Sequence, residues 1–300
     1  MAAGVGGSGI VHGDLCPAGS NSCSVAEEVA MKRLTFPIVA LVATALLALL
    51  PLRYLRTASA GPRPIGDAAP RTPVLVELFT SEGCSDCPPA DALLQKLDRS
   101  QPVRDAQLVV LSEHVDYWND IGWKDPYSSH GFSIRQGDYA HRFHLVSAYT
   151  PQMVVDGDAQ FVGSDERRAI QAIEGAEKAG KVSVSLSSIH LEGNMLALHV
   201  ESGALPSSAS SKSANVLLVL ADDSDQSNVR RGENAGRILT HVAVVRSLTQ
   251  VGTIDPGGAF SRDVKVSTEN ANQRRLRVVA IVQETEVGRI LGLGSSQLSN

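Results

Sequence analysis

The sequence has few aromatic residues, few cysteines and no dense basic stretch. Phe, Trp and Tyr make up 4% of the 300 residues, and there are four cysteines. Lys and Arg number 27 against 32 Asp and Glu, which gives a net charge of −5. Because nucleic-acid binding needs concentrated positive charge, we expect no nucleic-acid partner. A hydrophobic content of 43% without collagen-like or low-complexity bias over most of the chain predicts a globular protein.

A leader-like segment lies near the N-terminus. After the candidate start Met31 and two basic residues, the apolar run 35–52 is followed by a small-x-small cleavage candidate at 58–60. This pattern predicts export to the periplasm or the extracellular space. Because a signal peptide usually has an apolar region of about 7 to 15 residues, a single uncleaved membrane anchor at 35–52 is an alternative to a cleaved leader. Residues 1–60 are therefore an N-terminal extension with a signal peptide or membrane anchor, and 61–73 are a linker.

A strand-helix-strand unit follows the linker. The apolar runs Val74–Phe79 and Leu108–Leu111 are typical of parallel strands that are covered on both faces. Between them, apolar residues recur with a helical period from Ala90 to Leu97, and two prolines stand where a helix tolerates them, in its first turn. A second helix is predicted between Asp165, which can cap it, and Gly180.

Beyond Gly180 the pattern changes to alternating apolar and polar residues, which is typical of antiparallel strands. The glycine-rich stretch Gly232–Gly236 predicts a turn. We therefore expect an α/β domain over 74–180, with a long insertion at 114–149, followed by a separate antiparallel β-rich domain over 181–300.

Cys84 and Cys87 form a Cys-x-x-Cys motif directly after a predicted strand and at the start of a predicted helix. The N–H groups and dipole of a helix N-terminus stabilise a thiolate, so Cys84 is the expected attacking sulfur. Cys87 would then resolve the mixed disulfide with a protein or a small thiol or disulfide client. Because Glu82 and Asp86 place negative charge near this thiolate and disfavour it, we expect the poise of a reductant or isomerase.

Two other roles fit the same pair. A non-enzymatic metal-binding or metal-delivery module would need a third ligand, and His114 at the end of the second strand is the candidate beside Cys84 and Cys87. A structural cell-envelope protein with an inert disulfide is the other role, although so short a loop adds little stability by chain entropy. Apart from the metal of the first alternative, we expect no bound cofactor.

The insertion 114–149 carries both tryptophans of the sequence, Trp118 and Trp123. A long loop of this kind suits a lid or a substrate platform. Alternatively, its aromatic residues form a small satellite core beneath the loop.

Several stretches of the chain resemble one known family. They are TSEGCSDCPPAD at 80–91, HVDYW at 114–118, GWKDP at 122–126, YTPQMVVDG at 149–157 and, in the second half, GENAG at 232–236 followed by His241. These motifs resemble the exported thioredoxin-like family called domain of unknown function 1223, from about residue 73 to the C-terminus. The resemblance implies a thioredoxin-like α/β fold, an exported location and a redox pair, and it implies no particular substrate.

The resemblance also implies roles for the residues that precede the strand Met153–Val155. In a thioredoxin-like fold, a cis-proline at the place of Pro151 lies opposite the two sulfurs and offers backbone groups to an extended substrate. The expected catalytic residues are Cys84, Cys87 and Pro151. The expected substrate-binding residues are Thr150, Trp118 and Trp123.

Overall fold

The computed structural model describes residues 71–207 and 212–299. The predicted leader or anchor at 35–52, with the rest of residues 1–60, lies outside this part of the chain. Within it, no helix combines the length and the apolar character needed to cross a membrane.

The described residues form mostly β-strands, with three α-helices packed against them. The strands are β1 (Thr72–Thr80), β2 (Ala106–His114), β3 (Gln152–Val155), β4 (Ala159–Val162), β5 (Val184–Glu192), β6 (Met195–Ser202), β7 (Ala214–Asn228), β8 (Ile238–Ile254), β9 (Phe260–Ser267), β10 (Arg275–Glu284) and β11 (Ile290–Ser299). The α-helices are α1 (Pro88–Ser100), α2 (His130–Arg142) and α3 (Glu166–Ala176).

Helices α1 and α3 confirm the helices expected from the apolar period. The predicted stripe of α1 is buried, and two prolines occupy its first turn, where a missing N–H group costs least. Asp165 caps α3 by accepting a hydrogen bond from the backbone N–H of Arg168 at 3.0 Å. Both helices pack on the face of β1 that carries Val74, Val76 and Leu78.

Helix α2 was not predicted, because its buried face is partly polar. Arg135 and Gln136 are buried there beside Phe132 and Tyr139, so the apolar residues show no clear helical period. Since Leu75 and Phe79 share hydrophobic clusters with these aromatic residues, α2 covers the face of β1 opposite α1.

Eight strands form one mixed sheet in the order β11-β10-β7-β8-β2-β1-β3-β4. Strands β1 and β2 are parallel, and the two halves of the sheet meet where β2 runs parallel to β8, with Ser112 opposite Val244. Strands β5, β6 and β9 form a second, three-stranded sheet. Its apolar residues share a core with Leu218 of β7 and Val278 of β10.

The expected thioredoxin-like α/β fold with a separate C-terminal antiparallel β-rich domain is therefore wrong. Strands β7, β8, β10 and β11 continue the sheet that contains β1 to β4. One hydrophobic cluster combines Leu75 and Leu111 from the first half with Leu217 and Val219 from the second. The alternation after Gly180 correctly predicted strands, but alternation shows only that a strand has two faces and not which sheet it joins.

A buried polar cluster connects α2 to both halves of the sheet. Arg135 Nε of α2 donates to Glu77 Oε1 of β1 at 2.8 Å, and Arg135 Nη2 donates to Gln283 Oε1 of β10 at 3.1 Å. Tyr139 Oη donates to Glu77 Oε2 at 2.7 Å. Glu113 lies nearby, fully buried, and neither of its carboxyl oxygens has a hydrogen-bond partner in the described structure. Burial, with the neighbouring Glu77 carboxylate, raises the pKa of Glu113 well above its usual range, although Arg135 opposes this shift.

Replacing Glu113 by Gln should make stability less dependent on pH. Because the pKa of Glu113 is raised on folding, the folded protein keeps a proton that the unfolded chain loses near its ordinary pKa of 4.5. Glu113 should therefore cause the free energy of unfolding of the wild type to decrease as pH rises from about 5 to about 8. Glu113→Gln cannot ionise and should lose less stability over that range, as measured by urea unfolding at both pH values.

Glu77→Gln is the matched control, because Glu77 is the neighbouring carboxylate and is paired with Arg135. Breaking a buried ion pair costs about 3 to 5 kcal/mol, so this variant should be less stable than the wild type at both pH values. Parallel pH dependence of the wild type and Glu113→Gln would contradict the assignment of a neutral, buried Glu113.

Candidate functional site

The loop Ser81–Cys87 connects β1 to α1 and carries both cysteines of the described residues. Cys84 and Cys87 form a disulfide with their Cα atoms 5.4 Å apart. The backbone N–H of Cys84 donates to the carbonyl of Ser81 at 3.2 Å, and that of Cys87 donates to the carbonyl of Cys84 at 3.3 Å. Since Cys87 is the N-cap residue of α1, the pair lies at the helix start, where the sequence predicted it.

Trp118 connects the cysteine loop to Thr150. Its indole Nε1 donates to Thr150 Oγ1 at 2.8 Å. A Cβ atom on Gly83 would lie only 3.0 Å from the Cβ of Trp118, so the missing side chain at Gly83 allows Trp118 to pack against the loop. Of the predicted substrate-binding residues, Trp118 therefore packs beside the residue before Cys84, and Thr150 is connected to the cysteine loop through Trp118.

Pro151 lies at the cysteine end of α1, and the Thr150–Pro151 peptide bond is cis. A Cβ atom on Gly163 would lie 3.1 Å from the Cβ atoms of both Pro151 and Ala90, so these two side chains flank Gly163. Ala90 follows Cys87 by one helical turn. The carbonyl of Pro151 accepts a hydrogen bond from the N–H of Gly163 at 2.9 Å, and Pro151 is itself buried.

Trp123 lies on another side of the loop and uses its polar atom within the protein. Its Nε1 donates to Glu82 Oε2 at 2.8 Å. Its Cβ lies 3.2 Å from the position that a Cβ on Gly232 would occupy. Trp123 was predicted to bind substrate, but its indole N–H is used to support the cysteine loop through Glu82.

His114, the third ligand of the predicted metal alternative, is fully buried at the end of β2. Its Nδ1 lies 2.8 Å from Asp125 Oδ2, which also accepts the backbone N–H of Glu82 at 2.8 Å. Burial raises the pKa of Asp125, but the His114 charge and hydrogen bonds outweigh burial and lower it. Among residues 71–207 and 212–299, no three His, Cys, Asp or Glu side chains are arranged to hold a metal ion.

The loop Val229–Arg237 between β7 and β8 covers the cysteine loop. Asn234 Nδ2 donates to the backbone carbonyls of Glu82, at 3.0 Å, and Cys84, at 2.9 Å. Glu233 Oε2 accepts the backbone N–H of the residue after Cys84 at 3.0 Å. We call residues 229–237 the covering loop.

The disulfide is closed to solvent beneath this covering loop. Cys84 is 1% exposed and Cys87 is 0% exposed. A thiolate must approach a sulfur atom directly to exchange with it, so exchange at Cys84 requires the loops around it to open.

His241 of β8 lies between two buried carboxylates that flank the cysteines in sequence. Its Nε2 is 3.3 Å from Glu82 Oε1, and its Nδ1 is 3.6 Å from Asp91 Oδ1. Burial lowers the pKa of His241, but Asp91 and Glu82 outweigh burial and raise it to about 10. The two carboxylates therefore favour the protonated form of His241. Ser227 of β7 also donates a hydrogen bond to Glu82 Oε1.

Sequence reasoning did not assign Asp91, Asn234 and His241 to the site. The contact of Asn234 with Cys84 spans 150 residues, and that of His241 with Glu82 spans 159. A local pattern in the sequence does not reveal contacts between residues so far apart in the chain. The resemblance to family motifs was the available signal: Asp91 ends the motif at 80–91, Asn234 lies in the motif at 232–236, and His241 follows it. The glycine pattern alone predicted only a turn.

Replacing Asn234 by Ala should speed chemical reduction of the disulfide about tenfold. The substitution leaves two carbonyls of the cysteine loop without their donor, and a lost hydrogen bond of this kind costs about 1 to 3 kcal/mol. The open form of the loop should become correspondingly more populated. Thiols released by excess dithiothreitol, trapped by alkylation at successive times, give the rate.

Arg231→Ala is the control, since it changes an exposed residue of the same covering loop. It should reduce at the wild-type rate. Thermal unfolding of the three proteins separates local opening from a global loss of stability. Equal reduction rates for Asn234→Ala and the wild type would contradict the covering role of Asn234.

Two solved structures are similar to this chain over most of its length. Protein AGR_C_4864 from Agrobacterium tumefaciens is 26% identical, with a TM-score of 0.60, and the match covers 78% of this chain and 97% of that one. HBP35 of Porphyromonas gingivalis is 14% identical, with a TM-score of 0.53 and coverage of 77% and 76%. The second likeness concerns the fold alone. No curated protein matches the sequence.

The family comparison agrees with the motifs around both halves of the site. The model of one family matches residues 75–283, which include the cysteine loop, Thr150 and Pro151, the covering loop and His241. The chain belongs to that family, which is described as Protein of unknown function (DUF1223).

Proposed function

We propose that the protein is an exported thiol–disulfide oxidoreductase that acts through Cys84 and Cys87. The observation that carries this proposal is the position of the disulfide at the start of α1, beside Trp118, Thr150 and Pro151. A disulfide that only staples structure has no need of this placement, and its short loop adds little stability.

The reaction is an exchange of one disulfide for another. The Cys84 thiolate attacks a client disulfide, so a mixed disulfide forms and one client thiolate leaves, taking a proton from water. The Cys87 thiol loses its proton and attacks the Cys84 sulfur, and the second client thiolate leaves. The client gains two electrons and the pair is oxidised to the disulfide.

The charges and donors at the loop favour the poise of a reductant or isomerase. Asp86 is exposed beside Cys84. Glu82 and Asp91 are two carboxylates beside one histidine, so His241 offsets the negative charge of only one of them. Two prolines at the first positions of α1 remove N–H groups that would otherwise stabilise a thiolate. A less stable thiolate makes the reduced form less favoured and lowers the reduction potential.

The client is a protein or a small thiol or disulfide. Trp118 and Thr150 are partly exposed and offer a surface with both aromatic and polar character beside the cysteine loop, whereas Pro151 is buried. Export follows from the leader-like run 35–52, which would be either cleaved or kept as a single membrane anchor. An oxidising compartment also suits a described chain whose two cysteines form one disulfide.

The midpoint potential of the pair should lie above about −300 mV and well below the value of about −120 mV that is typical of strong oxidants. The purified full chain is equilibrated in glutathione and dithiothreitol buffers, and free thiols are counted by alkylation. A midpoint near the strong oxidants would contradict the proposed poise. A pair that stays oxidised below about −300 mV would indicate an inert disulfide, and thiols protected until a chelator is added would indicate a bound metal.

The two cysteines provide matched variants for the same experiment. Cys87→Ser should accumulate a mixed disulfide with oxidised glutathione, because its attacking sulfur remains and the resolving sulfur is absent. Cys84→Ser should accumulate much less. Equal trapping by both variants would contradict the assignment of Cys84 as the attacking sulfur.

A further inference from the structure

His241 comes from β8, far from the cysteines in sequence, yet it contacts charges on both sides of them. Glu82 precedes Cys84 by two residues, and Asp91 follows Cys87 by one helical turn. The backbone N–H of Asp91 donates to the carbonyl of Cys87 at 3.1 Å. Since His241 lies within 3.6 Å of both carboxylates, it joins the residues on the two sides of the cysteine motif.

The two carboxylates depend on His241 to different degrees. Glu82 accepts hydrogen bonds from Trp123 and Ser227 in addition to its contact with His241. Neither carboxyl oxygen of Asp91 has a hydrogen-bond partner among the described residues, although the side chain is only 6% exposed. A buried carboxylate without donors is stable only beside a positive charge, so Asp91 depends chiefly on His241.

We propose that His241 is a positioning residue for the redox pair, whose positive charge offsets Glu82 and Asp91 and thereby increases the thiolate fraction of the reduced cysteines. This inference rests on the proposed function. The groups that face His241 are Glu82, Asp91, the ring of His114 at 4.6 Å and the ring of Tyr127 at 5.8 Å between centroids. The second half of the sheet would thus tune chemistry that takes place in the first half.

The physical reason is the field at the sulfur atoms. Reduction adds two electrons to the S–S bond, and each sulfur then either takes up a proton or remains a thiolate. Removing the imidazolium leaves Glu82 and Asp91 without their cation, and like charge disfavours a thiolate. Removing the charge of Asp91 instead leaves His241 paired only with Glu82, which favours a thiolate.

The experiment is a pH titration of the ultraviolet thiolate absorbance of the chemically reduced full chain. His241→Asn should lower the ratio of thiolate to thiol about tenfold at a given pH, and Asp91→Asn should raise it about tenfold. A purely structural role for His241 does not predict opposite shifts. Shifts in the same direction, or no shift in Asp91→Asn, would overturn the proposal.

Matched controls separate the local field from general effects. Asp98→Asn removes a carboxylate two turns further along α1, where it pairs with Arg277, and His199→Asn removes an imidazole of β6 that pairs with Asp263. The reduced cysteines of both variants should titrate like those of the wild type. If His241→Asn does not fold, His241→Gln takes its place and should lower the ratio in the same way.

The test is independent of client exchange. A midpoint outside the proposed range would overturn the proposed function, because that experiment measures exchange with thiol buffers. The titration measures ionisation of chemically reduced cysteines, so loss of the opposite shifts would overturn the role of His241 alone.

Discussion

The burial of the Glu82 carboxylate is the constraint on which the site depends. A carboxylate that is 0% exposed must be paired and hydrogen-bonded, because an isolated buried charge is strongly unfavourable. The partners of Glu82 come from three separate parts of the chain: Trp123 from the segment after β2, Ser227 from β7 and His241 from β8. The cysteine loop therefore takes its position only when the second half of the sheet is in place, and it is not a property of β1 and α1 alone.

The same second half controls access to the sulfur atoms. Asn234 donates both N–H groups of its side-chain amide to carbonyls of the cysteine loop. Asn234 therefore binds the backbone of the cysteine loop and not its side chains. In the proposed exchange, a client would have to replace these hydrogen bonds with its own to reach Cys84.

Local patterns predicted the local parts of the structure. The apolar stripe from Ala90 to Leu97 and the cap at Asp165 predicted two helices, and the motif at Cys84 and Cys87 was placed correctly at a helix start. Helix α2 was missed because its buried residues include Arg135, whose interaction with Glu77 spans 58 residues. The joining of all eight strands could not be predicted either, since alternation determines the faces of a strand and not its neighbours.

The polar clusters explain how the two halves are aligned. The ladder between β2 and β8 has only the pair of Ser112 with Val244, so backbone hydrogen bonds fix this junction weakly. Apolar burial specifies alignment less sharply, because the hydrophobic effect is not directional. Buried ion pairs and hydrogen bonds are directional, and one buried partner left alone costs several kcal/mol. The contact of His241 with Glu82 on one face and that of Gln283 with Arg135 on the other therefore select one register of β8 and β10 against β1. A shift of the second half would break both clusters, and only the first of them lies at the disulfide.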